Sequence, residues 1–302
     1  MRTWRIWGLA VLFACKAEIG GVTEVPGDGD LADAFETVTA DAAVPLGPWS
    51  TPTLVPGANS ALAEDDGTLS GSELELIFAK EDPTDAGRKH LFVVTRETPA
   101  STTWTAPVRL AINVNGTTDQ TPRLSEDALT LYFGSNRLGT AGDLDIWQST
   151  RTAVGATWST PVLVDGVNSV ATEKWCTTCD GGRFLVVSAR APSTSEDIYE
   201  GTLGGGAPVL AAALSSASGD TGPFLTTDCL TVYFASSRNG PNRIYRSTRT
   251  SVTAPWSAPV LFEDFLASIG GGQEDPWLAA DNRTFVFSSN ASGSKDVYIS
   301  TR

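Results

Sequence analysis

One phrase decides the fold, and the chain contains it twice: LTLYFGSNRLGTAGDLDIWQSTR at 129–151 and LTVYFASSRNGPNRIYRSTR at 230–249. Each copy has an alternating apolar run, a Gly-containing loop and a second strand-like run, the pattern of a β-hairpin. Shorter forms surround Phe78, Val187 and Phe287. The chain therefore carries five copies of one unit.

The copies recur about every 50 residues, a period typical of β-propeller blades. In the second copy we predict strands at 119–127, 128–137, 144–151 and 157–164. Apolar residues on both faces of the middle strands are expected where blades stack face to face. The sequence predicts an all-β fold, a single propeller of five four-stranded blades.

The ends of the repeat region predict how the ring closes. The chain stops at Arg302, after a third strand, whereas a fourth-strand phrase at 49–55 precedes the first complete copy. Pairing the two completes the last blade and leaves few free strand edges. The tryptophans of this phrase are expected to pack between blades. They are Trp49, Trp104, Trp158 and Trp256.

Composition narrows the range of partners. The chain has 302 residues, of which 41% are hydrophobic, and its formal net charge is −14. A nucleic-acid-binding protein needs a basic face, so we expect no nucleic-acid partner. We expect a monomer.

The N-terminus, MRTWRIWGLAVLFAC, combines Arg2 and Arg5 with an apolar run too short to span a bilayer. Its last residues resemble a bacterial lipobox, which predicts lipidation of Cys15. An ordinary signal peptide and an unprocessed start are the alternatives. We expect a signal peptide at 1–14, a lipidated cysteine with a flexible acidic tether at 15–47, and the propeller at 48–302.

The repeat resembles the TolB-type, WD-repeat-like propeller repeat of bacterial envelope proteins. Its motif is P-x-L-S-x-D before an apolar strand, then S-x-R, a Gly loop and D-I-Y or D-I-W. In the second copy the matching residues are Pro122, Leu124, Ser125, Asp127, Ser135, Arg137, Asp145, Ile146 and Trp147. The resemblance implies an exported, membrane-anchored lipoprotein, at the periplasmic face or the outer membrane of a Gram-negative bacterium.

Polar residues at fixed repeat positions are first interpreted as structural. Aspartate favours turns because its side chain binds nearby backbone amides. We expect ion pairs across the hairpin between Arg137 and Asp145 and between Arg190 and Asp197, with a ligand-facing arginine rim as the alternative. The predicted turn residues are Asp127, Asp180, Asp228 and Asp281.

Acidic residues also recur where the first strand of each blade begins, near the central channel. A carboxylate ring there is our candidate binding surface, able to hold Ca²⁺, a cationic group or a sugar; solvated surface residues are the alternative. The candidates are Glu64, Asp119, Glu173, Asp220 and Glu274, with Asp65 and Asp275 beside them.

The cysteines favour a structural disulfide, since an exported protein meets an oxidising compartment. Cys176, Cys179 and Cys229 leave three pairings open, of which Cys179 and Cys229 occupy corresponding turns of neighbouring copies. A zinc or redox role lacks further ligands or a matching context.

No nucleophile motif of the G-x-S-x-G type occurs, and the single histidine, His90, is a poor general-base candidate. We expect a non-catalytic protein that recognises a protein or glycan ligand. A carbohydrate-active enzyme using channel carboxylates is the alternative, and a structural spacer the third hypothesis.

Overall fold

The computed structural model of the protein describes residues 45–193, 195–262 and 269–302. These residues form twenty short strands in five four-stranded antiparallel sheets. Their helix is limited to two single turns of 3-10 helix, Pro83–Asp85 and Asp180–Gly182. None of the helices in these residues has the length and hydropathy to cross a membrane. The predicted all-β, five-bladed propeller is confirmed.

Each blade runs outward from an inner strand near the axis. Blade 1 contains β2 (Glu64–Leu69), β3 (Glu75–Asp82), β4 (Arg88–Thr95) and β5 (Val108–Arg109). Blade 2 contains β6 (Asp119–Leu124), β7 (Thr130–Ser135), β8 (Asp145–Thr150) and β9 (Val162–Leu163). Blade 3 contains β10 (Glu173–Cys179), β11 (Arg183–Ser188), β12 (Asp197–Thr202) and β13 (Val209–Leu210). Blade 4 contains β14 (Asp220–Leu225), β15 (Thr231–Ser236), β16 (Arg243–Thr248) and β17 (Val260–Leu261). Blade 5 contains β18 (Gln273–Leu278), β19 (Thr284–Ser289) and β20 (Asp296–Thr301). Its fourth strand is β1 (Thr53–Leu54), which precedes blade 1 in the sequence.

The ring closes as the sequence predicts. Strand β1 pairs antiparallel with β20, with Leu54 opposite Tyr298. Ahead of this pair, Trp49 packs edge-on against Phe285 of β19, with 5.9 Å between ring centroids. The chain end and the start of the propeller therefore share one sheet.

The outer strands are shorter than predicted. The run expected at 157–164 is reduced to the two residues of β9. Proline cannot donate to a strand ladder, and Pro161 immediately precedes this strand. The residues before β9 bind β8 through individual hydrogen bonds, such as the 2.8 Å bond from the Ser159 amide to the Thr150 carbonyl.

The core lies between the blades. The aligned residues of the second strands are at most 1% exposed, and they contact apolar side chains of the neighbouring blade. Burying a side chain of this size stabilises a fold by about 1.5–3 kcal/mol relative to exposure. These residues are Phe78, Phe133, Val187, Phe234 and Phe287.

Every inner strand carries a bulge at its third residue, where φ is positive. A bulge re-aims its side chain and disturbs the local ladder. Four of the five positions hold non-glycine residues, for which this conformation is uncommon. The third residues are Asp66, Thr121, Trp175, Gly222 and Asp275, with φ from 48° to 59°.

A repeated arginine fixes each outer tryptophan. In blade 2, Arg151 stacks on Trp158 with its guanidinium carbon 4.2 Å from the ring centroid, and its Nε donates to the Ala128 carbonyl. Blades 1, 4 and 5 repeat both contacts. Blade 3 has Leu203 in the arginine position, and its fourth-strand phrase lacks tryptophan. The expected tryptophan packing therefore includes a cation–π contact.

Three of the predicted turn aspartates have the expected geometry. The Asp127, Asp228 and Asp281 side chains each accept a hydrogen bond from the backbone amide two residues on, at 2.9–3.0 Å. Asp180 instead lies in the single helical turn after Cys179.

Candidate functional site

At the start of the inner strands the structure contains buried, hydrogen-bonded carboxylates, whereas the sequence predicted a carboxylate ring open to a ligand. Glu64, Asp119, Glu173 and Asp220 are the first residues of four inner strands, and each is 0% exposed. Each side chain accepts a hydrogen bond from a backbone amide in the loop before its strand. The four carboxylates thus fix the chain as it enters each blade.

Each of these carboxylates also pairs with a cation of its own blade, which lies in the second strand (Lys80) or two residues after its end (Arg137, Arg190 and Arg238). The distances are 2.6 Å from Glu64 to Lys80, 2.6 Å from Asp119 to Arg137, 3.0 Å from Glu173 to Arg190, and 2.6 Å from Asp220 to Arg238. A buried carboxylate held in this way is already neutralised. A ligand would have to displace its partner, at a considerable cost.

These pairs correct the prediction for Arg137 and Arg190. Both were expected to pair across the hairpin with the third strand, but each pairs with the inner strand on its other side. Asp145 accepts a hydrogen bond from the Ala141 amide within its own loop, at 2.6 Å.

Glu274 does not belong to the same set. The residue of blade 5 that matches the four carboxylates is Gln273, and Glu274 is the second residue of its strand. Glu274 is half-buried and binds Asn242 at 2.8 Å and Lys295 at 2.6 Å.

The third residues of the inner strands meet on the axis, where Asp66 joins four blades. Its Oδ1 accepts a hydrogen bond from Nε1 of Trp175 at 2.8 Å, and its Oδ2 accepts one from the Thr121 amide at 3.2 Å. Its own amide lies 3.1 Å from Oγ of Ser288 and 3.3 Å from Oδ2 of Asp275. All of these groups are buried.

Arg123 crosses the axis one layer further along. Its Nε lies 3.3 Å from the Pro223 carbonyl, and its Nη2 lies 3.4 Å from that of Gly222, both in blade 4. Its Nη1 binds the Pro122 carbonyl at 3.1 Å. Gly222 is needed here, because a Cβ would lie 2.9 Å from Oδ1 of Asp275.

The axial carboxyl groups have pKa values that are pushed apart. Burial and the neighbouring Asp66 raise the pKa of Asp65 to about 6, against the attraction of Lys89 and Lys295. Burial and Asp66 also raise the pKa of Asp275 well above its usual value. For Asp66, burial is outweighed by the nearby cations and by a hydrogen bond from Asp275, so its pKa is lowered.

The charges on the axis are therefore balanced within the protein. Lys89 hydrogen-bonds Asp65, and Lys295 binds Glu274 while lying 3.7 Å from Asp65. Asp65, Asp66 and Asp275 are at most 3% exposed. Side chains that bond to one another across the axis thus occupy its centre.

The concave site lies at the end of the axis where the inner strands finish. We call it the end-face bowl, a cavity of about 360 Å³. Its volume lies in the range of small-ligand pockets, about 300–1,000 Å³. Its lining includes Arg123, Phe224, Trp277, Glu126, Asp127 and Asp180.

The bowl has an apolar base and an acidic rim. Phe224 and Trp277, the fifth residues of β14 and β18, contact each other with 6.0 Å between centroids. Arg123, the fifth residue of β6, completes this part of the base. Glu126, Asp127 and Asp180 are exposed on the turns that follow the inner strands.

A disulfide lies at the same end of the propeller. Of the three pairings left open by the sequence, the structure contains Cys179–Cys229, which joins blades 3 and 4. Cys179 lines the bowl. Cys176 is a buried thiol, and burial raises its pKa.

Two other predictions concern the lipidated N-terminal segment and a Ca²⁺ site. Cys15 and the acidic tether precede residue 45 and lie outside the described residues. Among the residues that are described, no three His, Cys, Asp or Glu side chains are grouped as a metal site would require.

The sequence indicated the acids at the start of the inner strands but missed Asp66, Arg123 and Trp175. A signal was present in each case, because a charged or bulky polar residue interrupts a short strand beside the axis. Their partners on other blades lie 55–222 residues away in sequence. Those contacts exist only once the ring is closed.

No known family model matches this chain, and no curated protein matches it by sequence. Solved propellers do match it. An endo-arabinase from Bacteroides thetaiotaomicron is 13% identical, with a TM-score of 0.58 over 83% of this chain and 97% of that one. An α-L-arabinofuranosidase from Podospora anserina is 12% identical, with a TM-score of 0.57 over 85% and 96%.

TolB from Acinetobacter baumannii is 13% identical, with a TM-score of 0.48 over 80% of this chain and 55% of that one. At such identities the likeness shows the fold and no shared activity. The protein is a five-bladed β-propeller, and the solved propellers similar to it include both glycoside hydrolases and TolB proteins.

Proposed function

We propose that the protein is a non-catalytic recognition module whose end-face bowl binds a protein or glycan ligand. The observation that carries this proposal is the contrast between the two polar regions. The axial carboxyl groups are buried and paired with cations or with one another, whereas the bowl is open and three of its lining acids, Glu126, Asp127 and Asp180, are exposed. Binding needs an accessible concave surface, and catalysis needs reacting groups that a substrate can touch.

The proposal places the module in a bacterial envelope. The basic residues, short apolar run and Cys15 at the N-terminus support lipid anchoring, with the propeller held off the membrane by the acidic tether. The full chain should fractionate with membranes, and Cys15→Ala should move it to the soluble fraction. Continued membrane association of Cys15→Ala would refute the anchor while leaving the binding proposal intact.

A second candidate is a carbohydrate-active enzyme, favoured by the carboxyl pair Asp66 and Asp275. Their pKa values are shifted in opposite directions, the arrangement that separates an acid from a base in many enzymes. Glycosidases use two carboxyl groups about 5–10 Å apart on either side of the bond that breaks. We rank this candidate second because both groups are buried and bound to neighbouring blades.

The test compares ligand retention by the full chain with that of a variant whose bowl is filled. Ala280 is exposed and lines the bowl, so Ala280→Trp should block it. Ala207 is exposed elsewhere, and Ala207→Trp is the matched control. The three proteins are applied to a panel of envelope polysaccharides and to solubilised envelope proteins.

A ligand retained by the wild type and by Ala207→Trp, but not by Ala280→Trp, would support recognition at the bowl. A ligand retained equally by all three would place binding elsewhere and overturn the proposal. Retention of nothing under any condition would favour a structural spacer and overturn it as well.

A further inference from the structure

We propose that the ligand group entering the end-face bowl is cationic: the side chain of an arginine or lysine in a basic segment of a partner protein. This inference rests on the proposed function and narrows its ligand class. Three properties of the bowl support it. They are the negative charge of its rim, the hydrogen bonds that occupy its one lining cation, Arg123, and the aromatic pair at its base.

The rim is negatively charged at neutral pH. Asp127 accepts hydrogen bonds from the Ser125 hydroxyl at 2.6 Å and from the Leu129 amide at 3.0 Å, and these lower its pKa. Glu126 and Asp180 also line the bowl and are exposed; the Thr227 hydroxyl donates a hydrogen bond to Oε2 of Glu126 at 2.9 Å, which leaves the charge of Glu126 in place. Carboxylates on the walls of a concave site reinforce one another's attraction for a cation.

The base does not cancel this charge. Arg123 is the one Lys or Arg among the residues that line the bowl, and it is 2% exposed. Its three guanidinium nitrogens each bind a backbone carbonyl. Its charge is balanced from the axial side by Asp66 and Asp275. The open part of the bowl therefore presents acids to a ligand.

The aromatic pair suits a long side chain with a cationic tip. Phe224 is half-buried beside Trp277 in the bowl, next to Leu225 and Leu278. Arginine and lysine have apolar stems that pack on such surfaces, and their charged groups are attracted to aromatic faces. The protein uses this contact repeatedly itself, as in Arg151 on Trp158.

The same lining distinguishes this ligand from a glycan. An acidic polysaccharide would be repelled by Glu126, Asp127 and Asp180, and a neutral one could donate hydrogen bonds to them but would lack the attraction between opposite charges. The cationic group of a basic segment would be attracted to the rim carboxylates, and its apolar stem would pack on the aromatic pair at the base. We therefore commit to a protein partner of basic character.

The probe is a fluorescently labelled peptide, Gly-Gly-Arg-Arg-Gly-Gly, titrated with the full chain and followed by anisotropy. Its matched control carries citrulline, which preserves the length and planar shape of the arginine side chain but replaces one terminal NH2 group with a carbonyl oxygen and so removes the charge. The expected result is binding of the arginine peptide, weakened at least tenfold by citrulline, which corresponds to about 1.4 kcal/mol.

Two charge-matched variants locate the site. Glu126→Gln with Asp180→Asn removes two rim charges, and Asp143→Asn with Asp165→Asn removes two exposed charges in loops of blade 2 at the other end of the propeller. We expect about tenfold weaker binding for the rim variant and less than twofold for the control.

Equal weakening in both variants would mean general attraction to an acidic protein and would overturn the inference. Equal binding of the citrulline peptide, or no binding of the arginine peptide, would also overturn it. In either case, a glycan retained by the wild type and lost from Ala280→Trp would leave the proposed recognition function standing. If neither the arginine peptide nor a glycan binds at the bowl, both the proposed function and the inference are refuted.

Discussion

Nε1 of Trp175 in blade 3 donates a 2.8 Å hydrogen bond to Oδ1 of Asp66 in blade 1, with the propeller axis between them. Both residues occupy the bulge position of their inner strands, where φ is positive. The bulge turns the side chain toward the axis, so a local backbone feature produces a contact between blades that are not neighbours.

Loss of the Asp66 carboxylate should destabilise the ring strongly. Asp66→Ala would leave the Trp175 indole and the Thr121 amide without an acceptor and would remove one of the carboxyl groups that attract Arg123. We expect a loss of roughly 3–5 kcal/mol in the free energy of unfolding, measured by urea denaturation. Asp165→Ala is the exposed control, expected to change it by less than about 0.5 kcal/mol.

Trp175→Phe completes a double-mutant cycle with Asp66→Ala. If the hydrogen bond couples the two residues, their effects should fall short of additivity by about 1–3 kcal/mol. Strictly additive effects would show that the axial contact contributes nothing.

Replacing the arginine that stacks on an outer tryptophan by lysine should destabilise the protein. Arg151 binds both oxygens of Glu75 in the next blade, at 2.6 and 3.0 Å, besides the Ala128 carbonyl and Trp158. Lysine keeps the charge but loses the planar, multiple hydrogen bonding. We expect Arg151→Lys to lower the free energy of unfolding by about 2 kcal/mol.

Arg246, exposed on β16, provides the control for that substitution. Arg246→Lys should change stability by less than about 0.5 kcal/mol. If the two variants melt at the same temperature, the inter-blade contact of Arg151 is not stabilising.

Peptide mapping without reduction should recover Cys179 linked to Cys229 and leave Cys176 alkylated only after unfolding. The disulfide closes a 50-residue separation between blades. We expect reduction, or Cys179→Ser with Cys229→Ser, to cost about 2–4 kcal/mol in chemical denaturation. Recovery of a Cys176–Cys179 peptide would contradict the structure.

The buried Asp65 predicts a fall in stability as pH rises. Its folded-state pKa of about 6 exceeds the ordinary value of 3.8, so the folded protein holds this proton more tightly than the unfolded chain does. Stability from this group is present below about pH 4 and is lost as pH rises through about 6. The change is on the order of 3 kcal/mol, since one pKa unit corresponds to about 1.36 kcal/mol.

Asp65→Asn removes this titration, although it also removes the partner of Lys89. The variant is therefore compared with the wild type at each pH from 4 to 8 by urea denaturation. The wild type should lose stability relative to the variant between pH 4 and 6. A constant difference across that window would mean that Asp65 titrates at its ordinary pKa.

Much of the fold could be predicted because a propeller repeats its local rules in sequence. The closing strand was visible as an orphan phrase at 49–55, and the missing Arg–Trp contact of blade 3 is visible as Leu203 with no tryptophan after it. Such features depend on residues within one repeat or on the order of strands.

The site was less predictable because it depends on geometry between repeats. The acids at the start of the inner strands are recognisable in the sequence, yet whether they face a ligand or an arginine depends on the loop that packs over them. The bowl is assembled from turns of different blades, so Phe224 and Trp277 become neighbours only in the closed ring.

We propose that the bowl binds a ligand while the axial carboxyl groups do no chemistry. The most direct measurement incubates the wild type, Ala280→Trp and Asp275→Asn with the arginine peptide and the polysaccharide panel, and records both binding and released sugar. We expect binding by the wild type and Asp275→Asn, loss of binding in Ala280→Trp, and no released sugar. Sugar released by the wild type but not by Asp275→Asn would contradict it and establish the axis as an active site.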